Sequence, residues 1–455
     1  MLEFWETWKR AATGPECREK DFDMMIYKRA RELKVEHGIR FDRQSPVPID
    51  SSMAKDVYQA GLTLFLELGT LYTTGGHLVR VTDEEVKSAL NEMPESIKVG
   101  SEKDEVWIRK GAGKRGGGAL IAGGPCECPV SEGIYLETML SYAKEPTVDI
   151  LFSGFLKTIN GFDVETHTPL EMASAMNEAK TARRALEMAG REGLCVTGLV
   201  HPTSEATNFA DCAGGLRPTD IHEIDPLNEL KMDLETLKRM YHCRENGYIV
   251  SSMMCPVLGG YAGGAEEVAI TSVAEALQGY TIIGGQIFQL ATNHIKYRTG
   301  SEKGSLWAGA MALLGLKLCT RALTGNLIWT AAGPCTEMQC FEIVAKSIAD
   351  TACGASIITS AGGTGGRLVD NYTGMEARIA ALASKGAAKM KLDEANSIVK
   401  SIVDIYDRDM VEGRVPEGKA ITECYDLRKI EPSAQYVAIW KDVTKRLADI
   451  GFDIQ

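Results

Sequence analysis

Apolar positions along this chain follow two different periods. Over the first hundred or so residues they recur at helical spacing, predicting helices over Asp21 to His37, Ser52 to Leu68 and Glu84 to Glu92, the last introduced by the Thr82-Asp83 cap signal. From about Gly118, short apolar or β-branched runs ending in Gly, Ser, Thr or Pro alternate with longer helical patterns, the signature of βα units around a parallel sheet. The runs are Ala119 to Ala122, Val148 to Phe152, Leu194 to Thr197, Asn208 to Cys212, Tyr248 to Met253, Gln286 to Leu290, Leu327 to Ala331 and Ser356 to Ser360, the fourth being the weakest. Amphipathic helices fit between and after them: Pro169 to Ala189, Leu227 to Arg244, Glu266 to Gly279, Leu306 to Leu323, Thr336 to Thr351, Leu392 to Val411 and Ser433 to Ile450.

A count of eight strands favours a closed (β/α)8 TIM barrel over an open doubly wound sheet. The expected α/β architecture is an N-terminal helical extension over residues 1–117 packed on a barrel, with C-terminal helices, over 118–455. Short glycine runs fall at strand-to-helix turns, so they punctuate one structural unit and do not link several.

Composition agrees with a large apolar core: of 455 residues, 44% are hydrophobic and 25% charged. The net charge of −12 argues against a non-specific grip on nucleic acid. No window approaches 18 uninterrupted apolar residues, so no membrane span is expected. The start, MLEFWETWKR, lacks the pattern of a secretory signal, and the twelve cysteines are scattered singly apart from Cys126 and Cys128, which fits free thiols in a cytoplasmic protein.

Several motifs invite chemistry. The glycine clusters Gly116 to Gly118, Gly123-Gly124-Pro125, Gly259 to Gly264 and Gly362 to Gly366 suggest a phosphate loop, yet none has the spacing of a nucleotide motif. After barrel strands, such glycines instead let backbone approach a ligand closely. Cys126-Glu-Cys128 and His222-Glu223 lack a second ligand pair at zinc spacing. No Gly-x-Ser-x-Gly elbow marks a hydrolase. Thr219 to Glu223 admits two readings: a top-face loop whose carboxylate holds a cation, or a solvated Glu223 beside a Thr219 or Asp220 cap for the helix beginning near Leu227. Tyr261, Phe288, Tyr297, Trp307 and Trp329 fall on or after the later strands, where they could enclose a methylated ammonium or simply fill the core.

Taken together, Met188-Ala-Gly-Arg191, Asp211-Cys-Ala-Gly-Gly215, Thr219-Asp-x-His-Glu223, Leu227-Asn-Glu-Leu-Lys231, Gly259-Gly-Tyr-Ala-Gly-Gly264, Ala332-Gly-Pro-Cys-Thr-Glu-Met338, Thr373-Gly-Met-Glu-Ala-Arg378 and Glu423-Cys-Tyr-Asp426 resemble the monomethylamine methyltransferases, in that family's order. The resemblance spans the chain. It implies a (β/α)8 barrel, usually in a homo-oligomer, that accepts a cognate corrinoid protein at its mouth and passes a methyl group from a small methylated amine to that partner's cobalamin. No tightly bound cofactor of its own is expected.

The resemblance also places Thr197, through Val196-x-Gly198, where the family carries catalytic pyrrolysine, whose imine captures the amine. Threonine has no electrophilic carbon. Of the family's other polar site residues Glu223 is retained, whereas Met253 stands at a glutamate position and Leu327 at a glutamine position. These departures imply a pyrrolysine-independent methyltransferase whose preferred donor is a quaternary ammonium, which leaves as a neutral amine without prior capture. On that expectation Glu223 stabilises the cation, Trp329, Tyr261, Met253 and Leu327 shape its cage, and Thr197 orients the substrate or leaves it room. The alternatives are another N-methyl donor, simple methylamines included, or a non-catalytic barrel that binds a corrinoid protein or small ligand.

Overall fold

The computed structural model describes residues 1–111, 117–125, 128–198 and 204–454; Gly116 and Cys126 of the motifs above lie outside the described residues. Eight parallel strands form the barrel: β1 (Leu120–Gly123), β2 (Ile150–Phe152), β3 (Cys195–Thr197), β4 (Ile221–Glu223), β5 (Ile249–Met254), β6 (Ile287–Leu290), β7 (Leu323–Trp329) and β8 (Ile357–Gly362). Backbone pairing runs β3-β2-β1-β8-β7-β6-β5-β4. Strands β3 and β4 are therefore the two edges that meet where the sheet curls round, and no ladder joins them among the described residues. Side chains bridge this seam instead: Asp220 accepts a 3.0 Å hydrogen bond from the Val196 backbone N–H.

Before the barrel come α1 (Phe4–Thr13), α2 (Glu19–Glu36), α3 (Ser51–Leu68) and α4 (Asp83–Glu92). Around it lie α5 (Tyr135–Ala143), α6 (Pro169–Ala189), α7 (Glu205–Gly214), α8 (Leu234–Glu245), α9 (Ala265–Gln278), α10 (Lys303–Cys319), α11 (Glu337–Cys353) and α12 (Gly374–Ala387). Beyond them are α13 (Leu392–Val411), the short α14 (Ile421–Cys424) and α15 (Ala434–Asp449). The Thr82 cap is present as a full capping box with Glu85. Helix α3 lies so close to α9 and α10 that a Cβ on Gly61 would meet Val273 at 2.6 Å, and one on Gly315 the Ala54 carbonyl oxygen at 2.7 Å. Among the described residues no helix is long and apolar enough to cross a membrane.

Seven of the eight expected strands overlap observed ones; the fourth does not, because Asn208 to Cys212 lies within helix α7. Its small residues serve close helix packing: a Cβ on Gly214 would meet the Met176 carbonyl oxygen of α6 at 2.7 Å. The true fourth strand, Ile221-His-Glu223, carries two ionisable residues in three, so it has no apolar run to betray it. Two further expectations are corrected. Helix α8 starts at Leu234 with Asp233 as its cap, not near Leu227, since Glu229 and Leu230 take φ of 56° and 59°, outside helical geometry. Asp220 caps no helix; it is buried against Val196, Arg183 and Arg217.

The barrel interior has an apolar floor of Leu120, Ile150, Cys195, Ile221, Ile287, Leu323 and Ile357. Below it sits an antiparallel pair, Ser96–Val99 with Val106–Arg109, in a stretch where apolar periodicity predicts no strand. Ile97, Val99 and Ile108 of this pair join the same apolar cluster. The turn between its strands is tied to the segments leading into β3 and β4 by Gly100 N–H to Thr219 O and Ser101 N–H to Gly193 O, both 2.8 Å. One end of the barrel is thus plugged, which leaves the C-terminal end as the place for a site.

Candidate functional site

Successive side chains of a strand point to opposite faces. On β4 this sends Glu223 inward and His222 outward, where the imidazole stacks on Tyr248 with ring centroids 4.0 Å apart. The two cannot share a metal ion. Burial holds His222 down at a pKa of about 4, so it is a neutral packing residue at pH 7.

Above the apolar floor, the next inward positions form a polar belt of Thr197 on β3, Glu223 on β4, Ser251 on β5, Gln289 on β6 and Thr359 on β8, all buried. The Thr197 hydroxyl donates to Glu223 Oε1 at 2.8 Å. The Gln289 amide donates to the same oxygen at 3.0 Å and to Ser251 Oγ at 3.3 Å. The Thr359 hydroxyl in turn donates to Gln289 Oε1 at 2.5 Å. Glu223 Oε2 takes no hydrogen bond among the described residues.

Burial and the nearby charge of Asp225 push the Glu223 carboxyl up to about 8, against the downward pull of the polar groups of Thr197, Ser251 and Gln289. The carboxyl therefore holds its proton at neutral pH. Asp225 is itself engaged, accepting a 2.8 Å hydrogen bond from the Met253 backbone N–H.

Met253 and Leu327 lie one level further toward the C-terminal mouth, paired in register with Gln289 and Thr359. Both are buried in the interior apolar cluster, against which the half-buried Trp329 also packs. The last glycine run makes room for that indole: a Cβ on Gly362 would stand 2.7 Å from Trp329 ring carbons, and one on Gly366 2.6 Å. Here the glycines admit an aromatic side chain at the barrel rim, as close backbone approach demands.

Thr197, Glu223, Met253, Leu327 and Trp329 are thus gathered in or over the barrel lumen. Tyr261 is not gathered with them: it is 57% exposed, with its ring 5.8 Å from Lys231 Nζ. Of the other aromatics, Phe288 is core beside Tyr280 and Trp307 packs on Phe41. Sequence reasoning missed Ser251, Gln289 and Thr359. Their signal was parity, since each falls on the inward register of its strand. Among the described residues no three or more His, Cys, Asp or Glu side chains are placed to hold a metal ion.

Comparison with known proteins agrees with this geometry. The family model for "Monomethylamine methyltransferase MtmB" matches residues 2–452. Monomethylamine methyltransferase MtmB1 of Methanosarcina barkeri is 32% identical over 449 residues, covering 98% of this chain and 97% of the relative. MtmB of Methanosarcina mazei is similar to the same extent. The crystal structure of the Methanosarcina barkeri enzyme superposes with a TM-score of 0.94 at 31% identity over 99% of this chain and 98% of that one, and the crystal structure of a hydroxylamine MtmB complex does so equally. The chain therefore belongs to the monomethylamine methyltransferase MtmB family, as a methyltransferase with Thr197 at the position of that family's pyrrolysine.

Proposed function

We propose that this methyltransferase takes a methyl group from a methylated amine and delivers it to the Co(I) corrinoid carried by a partner protein, and that its preferred donor is a quaternary ammonium compound. The observation that carries this reading is the Thr197–Glu223 hydrogen bond: the residue in the family's capture position spends its one hydroxyl proton on Glu223 Oε1 and has no carbon to offer an amine. A donor used here must already carry a good leaving group. In a quaternary ammonium the C–N bond breaks with its electron pair staying on nitrogen, giving a neutral tertiary amine, while the electron pair of the new methyl–cobalt bond comes from Co(I). No proton is needed.

Met253, Leu327 and Trp329 give the lumen above the belt a thioether, alkyl and indole lining, which suits an apolar cationic head. Glu223 supplies the counter-charge by releasing its proton when a cation arrives. The rigid belt favours rate by holding the reacting carbon in one place. Tyr261 is kept as an outer contact only, in view of its exposure.

Simple methylammonium donors are the second reading, favoured by the relatives, which are monomethylamine methyltransferases, and by the retained Glu223. The test supplies cob(I)alamin or a corrinoid protein with a panel of quaternary, tertiary and simple methylamines and follows methylcobalamin by absorbance. Quaternary donors are expected to turn over fastest. Turnover of monomethylamine with none of any quaternary donor would overturn the preference, and silence with every donor would overturn the function.

A further inference from the structure

The belt contains a device that neither Thr197 nor Glu223 explains. Gln289 on β6 reaches Thr359 on β8 although β7 lies between them. The β7 residue paired with Gln289 is Gly325, and a Cβ there would stand 3.2 Å from Gln289 Cγ and 3.3 Å from its Oε1. The missing side chain opens the path by which the amide crosses one strand.

We propose that Gln289, locked by Thr359 across Gly325, is the positioning residue for Glu223, fixing which carboxyl oxygen faces the substrate. This rests on the methyl-transfer reading above and deepens it. The Thr359 hydroxyl donates to Gln289 Oε1, so the amide NH2 is turned toward Glu223 and Ser251. Glu223 Oε1 then receives two donors, from Gln289 and Thr197. An oxygen that accepts two hydrogen bonds is a poor place for a proton, so Oε2, which takes none among the described residues, carries it and is the atom that meets a ligand. Rotating the amide would set its carbonyl against Oε1, losing the bond to Glu223, and would turn the Thr359 hydroxyl from donor to acceptor.

Among the described residues, the groups facing Glu223 are few. Strands β3, β5 and β6 present the uncharged Thr197, Ser251 and Gln289. Asp225 supplies the neighbouring charge, and Cys195, one level down on β3, is held as a thiol by burial. Among the described residues no second titrating group hydrogen-bonds to Oε1, so removing the Gln289 donor acts on Glu223 directly.

The test is infrared titration of the Glu223 carboxyl in the full-length protein without substrate, its band assigned by its loss in Glu223→Gln. Gln289→Leu and Thr359→Val are each expected to raise the titration midpoint by about one pH unit, to lower kcat more than they change KM, and to leave the melting curve cooperative. Thr359→Ser, which keeps the hydroxyl, is expected to restore the wild-type midpoint and rate. An unchanged midpoint in Thr359→Val, a near-isosteric change that serves if Gln289→Leu fails to fold, would overturn the proposal. The midpoint is read without turnover, so a failure of the methyl-transfer reading would show in the donor panel and leave this result standing.

Discussion

Thr197 and Glu223 meet across the one barrel junction, among the described residues, where strand edges are not stitched by backbone pairing, and their 2.8 Å side-chain hydrogen bond helps to close it. The contact is thus structural and chemical at once. On their other edges both residues are held in the sheet, Thr197 in register with Phe152 and Glu223 with Ser251.

Replacement at Thr197 separates these two roles. Thr197→Ser keeps the hydroxyl and is expected to turn over the preferred donor within about twofold of wild type. Thr197→Val keeps the shape but removes a donor to Oε1, and a hydrogen bond of roughly 1.5 kcal/mol to a charged group corresponds to about a tenfold loss in kcat/KM. Steady-state rates on both variants decide it; equal rates would mean that the hydroxyl takes no part in turnover.

Binding of a cationic donor should release a proton. The Glu223 carboxyl keeps its proton up to about pH 8, and a cation beside it favours the ionised form. Affinity for a quaternary donor is then expected to rise with pH below that value, by up to about tenfold per unit, and to level off above it. Calorimetry at pH 7 in buffers of different ionisation enthalpy would read the proton directly. Affinity that does not change between pH 6 and 9 would place the cation away from Glu223.

The same carboxyl sets a pH dependence of stability. Folded Glu223 holds its proton to about pH 8, whereas the ordinary value is 4.5. The folded state therefore binds the extra proton between these limits, and the stability this gives is complete in acid and drains as pH rises toward 8. Glu223→Gln has no proton to lose. Urea unfolding from pH 5 to 9 should show wild type losing stability relative to Glu223→Gln by an amount on the order of a few kcal/mol. Parallel curves would mean that the carboxyl is solvated or already ionised in the folded protein.

How far the sequence foretold this site depends on what each residue does. The barrel was legible because apolar strands such as Ile287–Leu290 and Ile357–Gly362 alternate with long helices such as Pro169–Ala189, whose expected and observed limits coincide. Strand β4 was not legible, because its inward face is the site itself and reads as polar. The floor-closing pair at Ser96–Val99 was missed because short strands outside the βα rhythm carry no periodic signal. Residue spacing left Glu223 open between a cation-holding carboxylate and a solvated one, which the family resemblance decided, and Gln289 is one polar residue in an apolar run. Its role became readable once three-dimensional register set it opposite Gly325 and within reach of Thr359.

Met253 and Leu327 offer the sharpest test of what apolar residues mean at positions where the resemblance implies a glutamate and a glutamine. Both are buried, at 4% and 1% exposure, in an apolar cluster over the belt. Met253→Glu with Leu327→Gln would introduce the residue types that the resemblance implies at these positions. Each places a polar group among carbon neighbours, so a stability loss of about 1–3 kcal/mol per site is expected, with the new carboxyl neutral for the same reason of burial that keeps Glu223 neutral. The double variant should lose turnover of quaternary donors, whose apolar cationic head no longer finds thioether and alkyl walls. It should gain no turnover of monomethylamine, because Thr197 still has no electrophilic carbon with which to hold the amine. Both outcomes are read from methylcobalamin formation on the donor panel, with denaturant curves confirming that the variant is folded. Monomethylamine turnover in the double variant would mean that capture at position 197 is unnecessary, and the argument that Thr197 selects the donor would fall.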